Sequence, residues 1–207
     1  MLILSYSGSM VIISGIVIYK TMIYQIFSLV LEVATGFLSG ACLLRFYMQF
    51  HYISMSSRSG NPLSQFIFTL SDWIVLPLRR FLPSIGRIDT SSLVGAYFFE
   101  IAQYLLHITV LGTYGQLQSV PILGLFGIFR LSLSCITGLL IIYAVISWMG
   151  SRSIMSDLVD RLCLPILTPV RRVLPLMGGL DLSPLVVLLL VQIVVIILNN
   201  LQLMVLG

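Results

Sequence analysis

PLRRFLPSIGRIDTS, residues 77–91, returns 92 positions later as PVRRVLPLMGGLDLS, residues 169–183. The two stretches share Pro77/Pro169, Arg79/Arg171, Arg80/Arg172, Leu82/Leu174, Pro83/Pro175, Gly86/Gly178, Asp89/Asp181 and Ser91/Ser183. Chance would match about one or two positions in a window of this size, so the chain is an internal duplication. Each conserved residue type has a local task. The prolines fix φ and oppose a long helix across the segment, and Gly86 and Gly178 are free to take positive φ in the turn. Ser91 or Ser92, and Ser183 ahead of Pro184, are N-cap candidates for the helix that follows. Asp89 and Asp181 either pair back to the arginines or cap the same helix end. The motif therefore reads as a basic elbow that launches a helix.

What it launches follows from composition. At 207 residues, 58% hydrophobic, 9% charged and mean hydropathy +1.09, the chain has too little polar surface to coat a water-soluble globule. A bilayer core takes about 20 apolar residues per helix, and four runs qualify: Ile23 to Leu44, Leu93 to Leu111, Ile128 to Met149 and Leu185 to Leu206. The apolar run at residues 1–21 carries Ser5, Ser7, Ser9 and Ser14 and no basic n-region. It reads either as a marginal fifth span or as sequence upstream of a start at Met22. The first repeat is then 22–114 and the second 115–207. The fold class is all-α: a multi-pass membrane protein of four core spans in two tandem parallel repeats, related by a pseudo-two-fold axis along the membrane normal.

Arginines fill the connections after spans one and three (Arg58, Arg79, Arg80, Arg87; Arg152, Arg161, Arg171, Arg172), whereas Gly112 to Pro121 has none. The positive-inside rule puts both arginine-bearing segments in the cytoplasm. The pI of about 9.2 thus points to anionic headgroups, not nucleic acid, because the basic residues flank apolar runs. Leu63, Phe66, Ile67, Leu70, Trp73 and Ile74 recur at helical spacing behind Asn61-Pro62 and predict an interfacial amphipathic helix. A second such helix is expected after Ser156, cut short by Pro165. Cys42, Cys135 and Cys163 lack metal or redox spacing and read as buried thiols.

The pattern P-x-R-R-x-L-P followed by G-x-x-D, repeated between spans, resembles the YggT (YlmG) family of bacterial inner-membrane proteins and their plastid relatives. Pro77, Arg79, Arg80, Pro83, Gly86 and Asp89 carry it in the first half, after Asn61-Pro62. Pro169, Arg171, Arg172, Pro175, Gly178, Gly179, Asp181 and Ser183 carry it in the second. Arg87 stands where the family has a second glycine, and Ser153-Ile154 replaces Asn-Pro in the second half. The resemblance implies a multi-pass protein of the bacterial inner membrane. It also implies roles in osmotic stress tolerance or membrane and division organisation, with haem attachment in plastid relatives, and brings no catalytic residues.

Two residue sets are candidates for function. Arg79, Arg80, Arg171 and Arg172 lie at headgroup level, where guanidinium forks hold phosphate bidentately, so they are expected to bind anionic lipid or an acidic partner, or else to set topology alone. Glu100, Gln103 and His107 share one face of span two, with counterparts Gln192 and Asn199 in span four. The stripe is expected to hydrogen-bond between helices, with Glu32 and His107 as partners for Glu100, or to line a proton or ion path. Asn199 in place of a second histidine argues against bis-His haem, and no cofactor or metal set is apparent. Arg130 reads as an end anchor. No nucleophile, base and orienter cluster is present. These readings favour a non-enzymatic scaffold or assembly factor, with an unidentified membrane-protein partner or homo-oligomer, over a small transporter or channel subunit.

Overall fold

The four apolar runs fold as helices that outrun their predicted ends. The structure, a computed structural model, describes residues 2–52, 62–84, 86, 88–112, 114–149, 153–173 and 181–206. Helix α1 is Leu2–Phe50, α2 Pro62–Phe81, α3 Thr90–Leu111, α4 Val120–Met149, α5 Ile154–Arg171 and α6 Ser183–Leu206, with a 3₁₀ turn over Tyr114–Ser119 before α4. Four segments are long and apolar enough to cross a membrane: Thr21–Phe50, Thr90–Leu111, Leu117–Met149 and Ser183–Val205. The N-terminal run makes no separate fifth helix; it is continuous with the first span.

α2 and α5 are the two amphipathic helices, and both run farther than their prolines predict. α2 continues through Pro77 to Phe81, and α5 passes Pro165 and Pro169 before ending at Arg171. A proline removes one backbone hydrogen bond, but burial on both sides of it holds the helix together. Leu162, Cys163 and Leu167 flank Pro165 and are fully buried. α5 also starts earlier than predicted, at Ile154. Ser153 accepts from the Ser156 N–H (3.2 Å), and the Ser156 hydroxyl accepts from the Ser153 N–H (2.9 Å), a reciprocal capping box.

Each repeat builds its own core from a hairpin of two spans and one surface helix. In the first half Cys42 and Leu43 of α1, Val75 of α2, and Ala96 and Phe99 of α3 pack together. In the second, Leu140 and Tyr143 of α4 meet Val159, Cys163 and Leu167 of α5 and Val187 and Val191 of α6. Val75 and Leu167, like Phe99 and Val191, are counterparts at the 92-residue shift. A third cluster joins the halves: Met48 of α1, Ile67 of α2, and Leu158 and Leu162 of α5. The Tyr47 hydroxyl donates to the Leu162 carbonyl across this seam (2.7 Å). Both surface helices therefore lie at the same end of the bundle, as a parallel duplication requires.

Between the spans the packing has another basis, because lipid is as apolar as leucine and close approach of backbones must do the holding. α3 lies on α4 over Gly124 and Gly127. A methyl group at Gly124 would meet Ile101 at 2.9 Å and Tyr97 at 3.0 Å, and one at Gly127 would collide with the Glu100 carboxyl. Replacing Gly127 by Val is expected to cost about 1–3 kcal/mol by overpacking, read as an earlier unfolding midpoint in detergent. The same change at Gly115, where open space surrounds the Cα, should leave that midpoint in place.

Candidate functional site

The elbow between α2 and α3 begins where the backbone hydrogen bonds of α2 run out. Leu82 N–H still bonds the Leu78 carbonyl (2.8 Å), and Gly86 then turns the chain at φ +60°. The left-behind carbonyls of Leu82 and Pro83 accept from the hydroxyls of Ser91 (2.7 Å) and Thr90 (3.0 Å). Those serine and threonine side chains thus close the turn, and the N-cap of α3 is Asp89. Its carboxylate accepts from the Ser92 N–H (3.4 Å) and hydroxyl (2.7 Å). Arg79 Nη2 donates to the same carboxylate at 2.6 Å. The two alternatives for this aspartate, cap and arginine partner, hold together.

The second elbow repeats the arrangement. Arg171 donates to Asp181 from Nε (3.0 Å) and Nη2 (2.6 Å), and Asp181 accepts from the Ser183 N–H (3.0 Å) at the start of α6. Burial opposes charge on both aspartates. Hydrogen bonds from Ser92 and Arg79 outweigh it at Asp89, as those from Arg171 and Ser183 do at Asp181, and hold both carboxyls below their ordinary values. Arg171 is correspondingly raised, its burial more than offset by Asp181 and Tyr143.

Around this shared pair the halves differ. In the first, Arg45 of α1, with a side chain only 4% exposed, donates to Ser71 (3.0 Å) and Asp72 (2.5 Å). Its Nε lies 3.7 Å from Asp89. Arg79 and Arg45 thus share Asp89, and Asp72 completes a four-charge network. In the second half Thr137 and Leu164 stand at the positions of Arg45 and Asp72. There Tyr143 bridges instead, accepting from Arg171 and donating to Asp181 (3.4 Å). Arg45, Asp72 and Tyr143 escaped the motif search because they are what the two copies do not share. A charge pair present in one copy only was the available signal.

The arginine doublets therefore divide their labour. Arg79 and Arg171 close the elbows, while Arg80 and Arg172 are exposed with no ion pair among the described residues. Beside them lie exposed Trp73, Leu76 and Phe81 of α2 in one half, and Leu164 of α5 with Val173 just past its end in the other. Pro62 and Pro77 lie in α2 and Pro169 in α5, Pro83 at the turn and Ser183 at the first turn of α6. Asn61, Pro175, Gly178 and Gly179 lie outside the described residues.

The intramembrane stripe is a zipper in one half only. Ser39 donates to Glu100 (3.3 Å), Thr35 to Gln103 (2.7 Å), and Tyr24 and His107 share a hydrogen bond of 2.8 Å, all between α1 and α3. The expected partners of Glu100 are not the observed ones: His107 is taken by Tyr24, and Glu32 faces outward. Gln192 and Asn199 also face outward: Leu131 stands on α4 where α1 has Ser39, the partner of Glu100, and Gln116 stands at the position of Tyr24, the partner of His107. Arg130 is three turns inside α4, not at its end, and donates to the Tyr104 hydroxyl (3.1 Å).

The sequence pattern of the family described as CCB3/YggT matches residues 23–110 and 122–202, one segment per repeat. The "Uncharacterized protein YggT" of Escherichia coli (strain K12) is 34% identical over 153 residues, covering 73% of this chain and 78% of that one. An uncharacterized protein of Pseudomonas aeruginosa is 35% identical over 167 residues, covering 78% of this chain and 83% of its own length. No solved structure matches the chain.

The asymmetry predicts unequal costs. Asp89→Asn leaves Arg45 buried against half its counter-charge and should destabilise by about 3–5 kcal/mol. Asp181→Asn leaves a half-exposed Arg171 and should cost about 1 kcal/mol or less. Since both aspartates titrate below their unfolded values when folded, their contribution is complete above the ordinary carboxylate range and is lost as pH falls through the folded values. Unfolding midpoints measured down an acid series should drop in that window, and drop least in the Asp89→Asn protein.

Proposed function

The chain belongs to the CCB3/YggT family, and from that membership we propose that it is a non-enzymatic scaffold or assembly factor at the cytoplasmic face of a bacterial inner membrane. The observation that carries this reading is the division of labour within each doublet. One arginine is spent on the elbow, and the next, Arg80 or Arg172, is left facing out beside an apolar surface helix. A guanidinium at headgroup depth, next to exposed tryptophan, phenylalanine and leucine, suits an anionic lipid phosphate or an acidic segment of a membrane-protein partner. Two such platforms at one end of the bundle make a bivalent surface. Osmotic stress tolerance and the organisation of membrane and division sites are the cellular settings that the family resemblance implies for it.

A transporter or channel subunit is the second reading, and the filled environment of Glu100 weighs against it. Its carboxyl is bonded to Ser39 and wedged against Gly127, which suits a group holding helices together better than one lining a path. The parent protein, no less than Glu100→Gln, is accordingly expected to leave proton and ion flux through reconstituted liposomes at the background of empty vesicles; parent flux that falls in the variant would favour the transporter.

For the scaffold reading, the Arg80→Gln/Arg172→Gln protein should fold with an unchanged unfolding midpoint. Its preference for phosphatidylglycerol over phosphatidylcholine, measured by competition for the lipid shell in nanodiscs, should fall toward unity. An undiminished preference would assign these arginines to topology alone.

A further inference from the structure

Two grooves flank the place where α1 and α4 cross, and they are copies of one another. One, of about 570 Å³, is lined by Leu125, Ile128, Phe129, Ser132 and Ile136 of α4 against Leu43, Phe46 and Tyr47 of α1. The other, about 770 Å³, is lined by their counterparts at the 92-residue shift: Val33, Gly36, Phe37, Gly40 and Leu44 of α1 against Cys135, Gly138 and Leu139 of α4. The first groove has a further wall, Leu93, Val94 and Tyr97 of α3. The second lacks it and is bounded at one end by Phe66, Ile67 and Leu70 of α2 instead. The matching α6 residues, Leu185, Val186 and Leu189, do not line it, and α6 lies mainly against α4 and α5.

The missing wall leaves two complementary surfaces open. On α3, Glu100 is buried against α4; its α6 counterpart Gln192 is exposed, as are Leu189, Ile193 and Ile196. On α4, Val120, Gly124 and Gly127 are buried. Of their counterparts on α1, Thr35 is turned into α3, whereas Glu32 is exposed and Ser28 half-exposed. A contact made once inside the chain is thus left unmade at both ends of the row of spans. The two open faces carry polar groups at bilayer depth: Gln25, Ser28 and Glu32 at helical spacing on α1, Gln192 and Asn199 on α6. No hydrogen bond among the described residues reaches the side chains of Glu32, Gln192 or Asn199. Polar groups facing hydrocarbon are costly and seek partners.

We propose that a second copy of this chain completes the open groove, its α6 seated against α1 in the register that α3 takes on α4. That register carries Glu100 to Gln192 and Gly127 back to Thr35, so Gln192 comes within one turn of Glu32, and Asn199 comes level with Ser28. Bulk is exchanged across the seam: Tyr97 and Tyr104 become Leu189 and Ile196 on α6, where Gly124 becomes Glu32 on α1. Gly36, with nothing within 4 Å of an added Cβ, leaves the incoming helix room for close approach. The partner contributes the amides, and the Glu32 face is incomplete without it.

The test is a disulfide between copies in bilayer nanodiscs, with Cys42, Cys135 and Cys163 replaced by alanine. Gly36→Cys and Gln192→Cys, carried on separately tagged chains, should crosslink when co-expressed, whereas Gly36→Cys with the lipid-facing control Ile197→Cys should not. A crosslink formed only when both cysteines are in one chain means that α6 closes its own groove and overturns the proposal. No crosslink in either form, or equal crosslinking of the control, also overturns it. As an independent readout, light scattering in detergent should find the full chain associated. Gln192→Leu/Asn199→Leu, which alters only outward-facing positions, should halve the mass or more with the helical content unchanged. A monomeric parent, or a variant that stays associated, contradicts the assignment.

Discussion

The ion pair between the first arginine of each doublet and the aspartate ten residues on is the constraint from which the rest of the architecture follows. It closes a turn between a helix lying along the membrane surface and a helix crossing the membrane, two directions that no regular structure joins. The aspartate serves both sides at once, capping the spanning helix through Ser92 or Ser183 and drawing back the arginine at the end of the surface helix. A carboxylate at a helix N-terminus is favoured by the helix dipole as well as by its hydrogen bonds. With the angle fixed, the apolar face of the surface helix falls onto its own hairpin, and Val75 or Leu167 is buried at the centre of a small core.

Duplication then supplies the second unit, and divergence separates their roles. The first repeat is tied by polar contacts through its whole depth, from the Arg45–Asp72–Asp89–Arg79 network at the elbow to Tyr24 and His107 at the far end. The second keeps the elbow, adds Tyr143, and between its spans relies on apolar packing around Leu140 and Val191. In a bilayer, where apolar contact alone gives little preference for protein over lipid, the first repeat is the half more fully tied by hydrogen bonds and ion pairs. The second presents its polar side chains outward. This difference gives the tandem a direction, with a sealed seam at α3 and α4 and an open one at α6 and α1.

Much of the fold was legible because it rests on composition and on a repeated string. Four apolar runs, two arginine elbows and the surface helix behind Pro62 all emerge from spacing and hydropathy. The helix ends did not: local rules stop α5 at Pro165, but burial of Leu162, Cys163 and Leu167 carries it through. Pairing inside the elbow was legible only as alternatives, since a sequence cannot say that one carboxylate fills two roles. Arg45 and Tyr143 were invisible to a search for what the halves share. The facing of Gln192 and Asn199 was missed for the converse reason: their match to Glu100 and His107 implied matching partners, and the partners Ser39 and Tyr24 are replaced by Leu131 and Gln116 at the 92-residue shift.

The elbow can be tested most directly by a double-mutant cycle on Arg171 and Asp181, the pair free of a second arginine. Stability would be measured for the parent, Arg171→Gln, Asp181→Asn and the double variant in the same bilayer mimic. If the pair holds the surface helix to the span, the double variant should be less destabilised than the sum of the singles, with a coupling of about 0.5–1 kcal/mol or more. Strictly additive effects would contradict the account, leaving the arginine and the aspartate as neighbours that do not depend on one another.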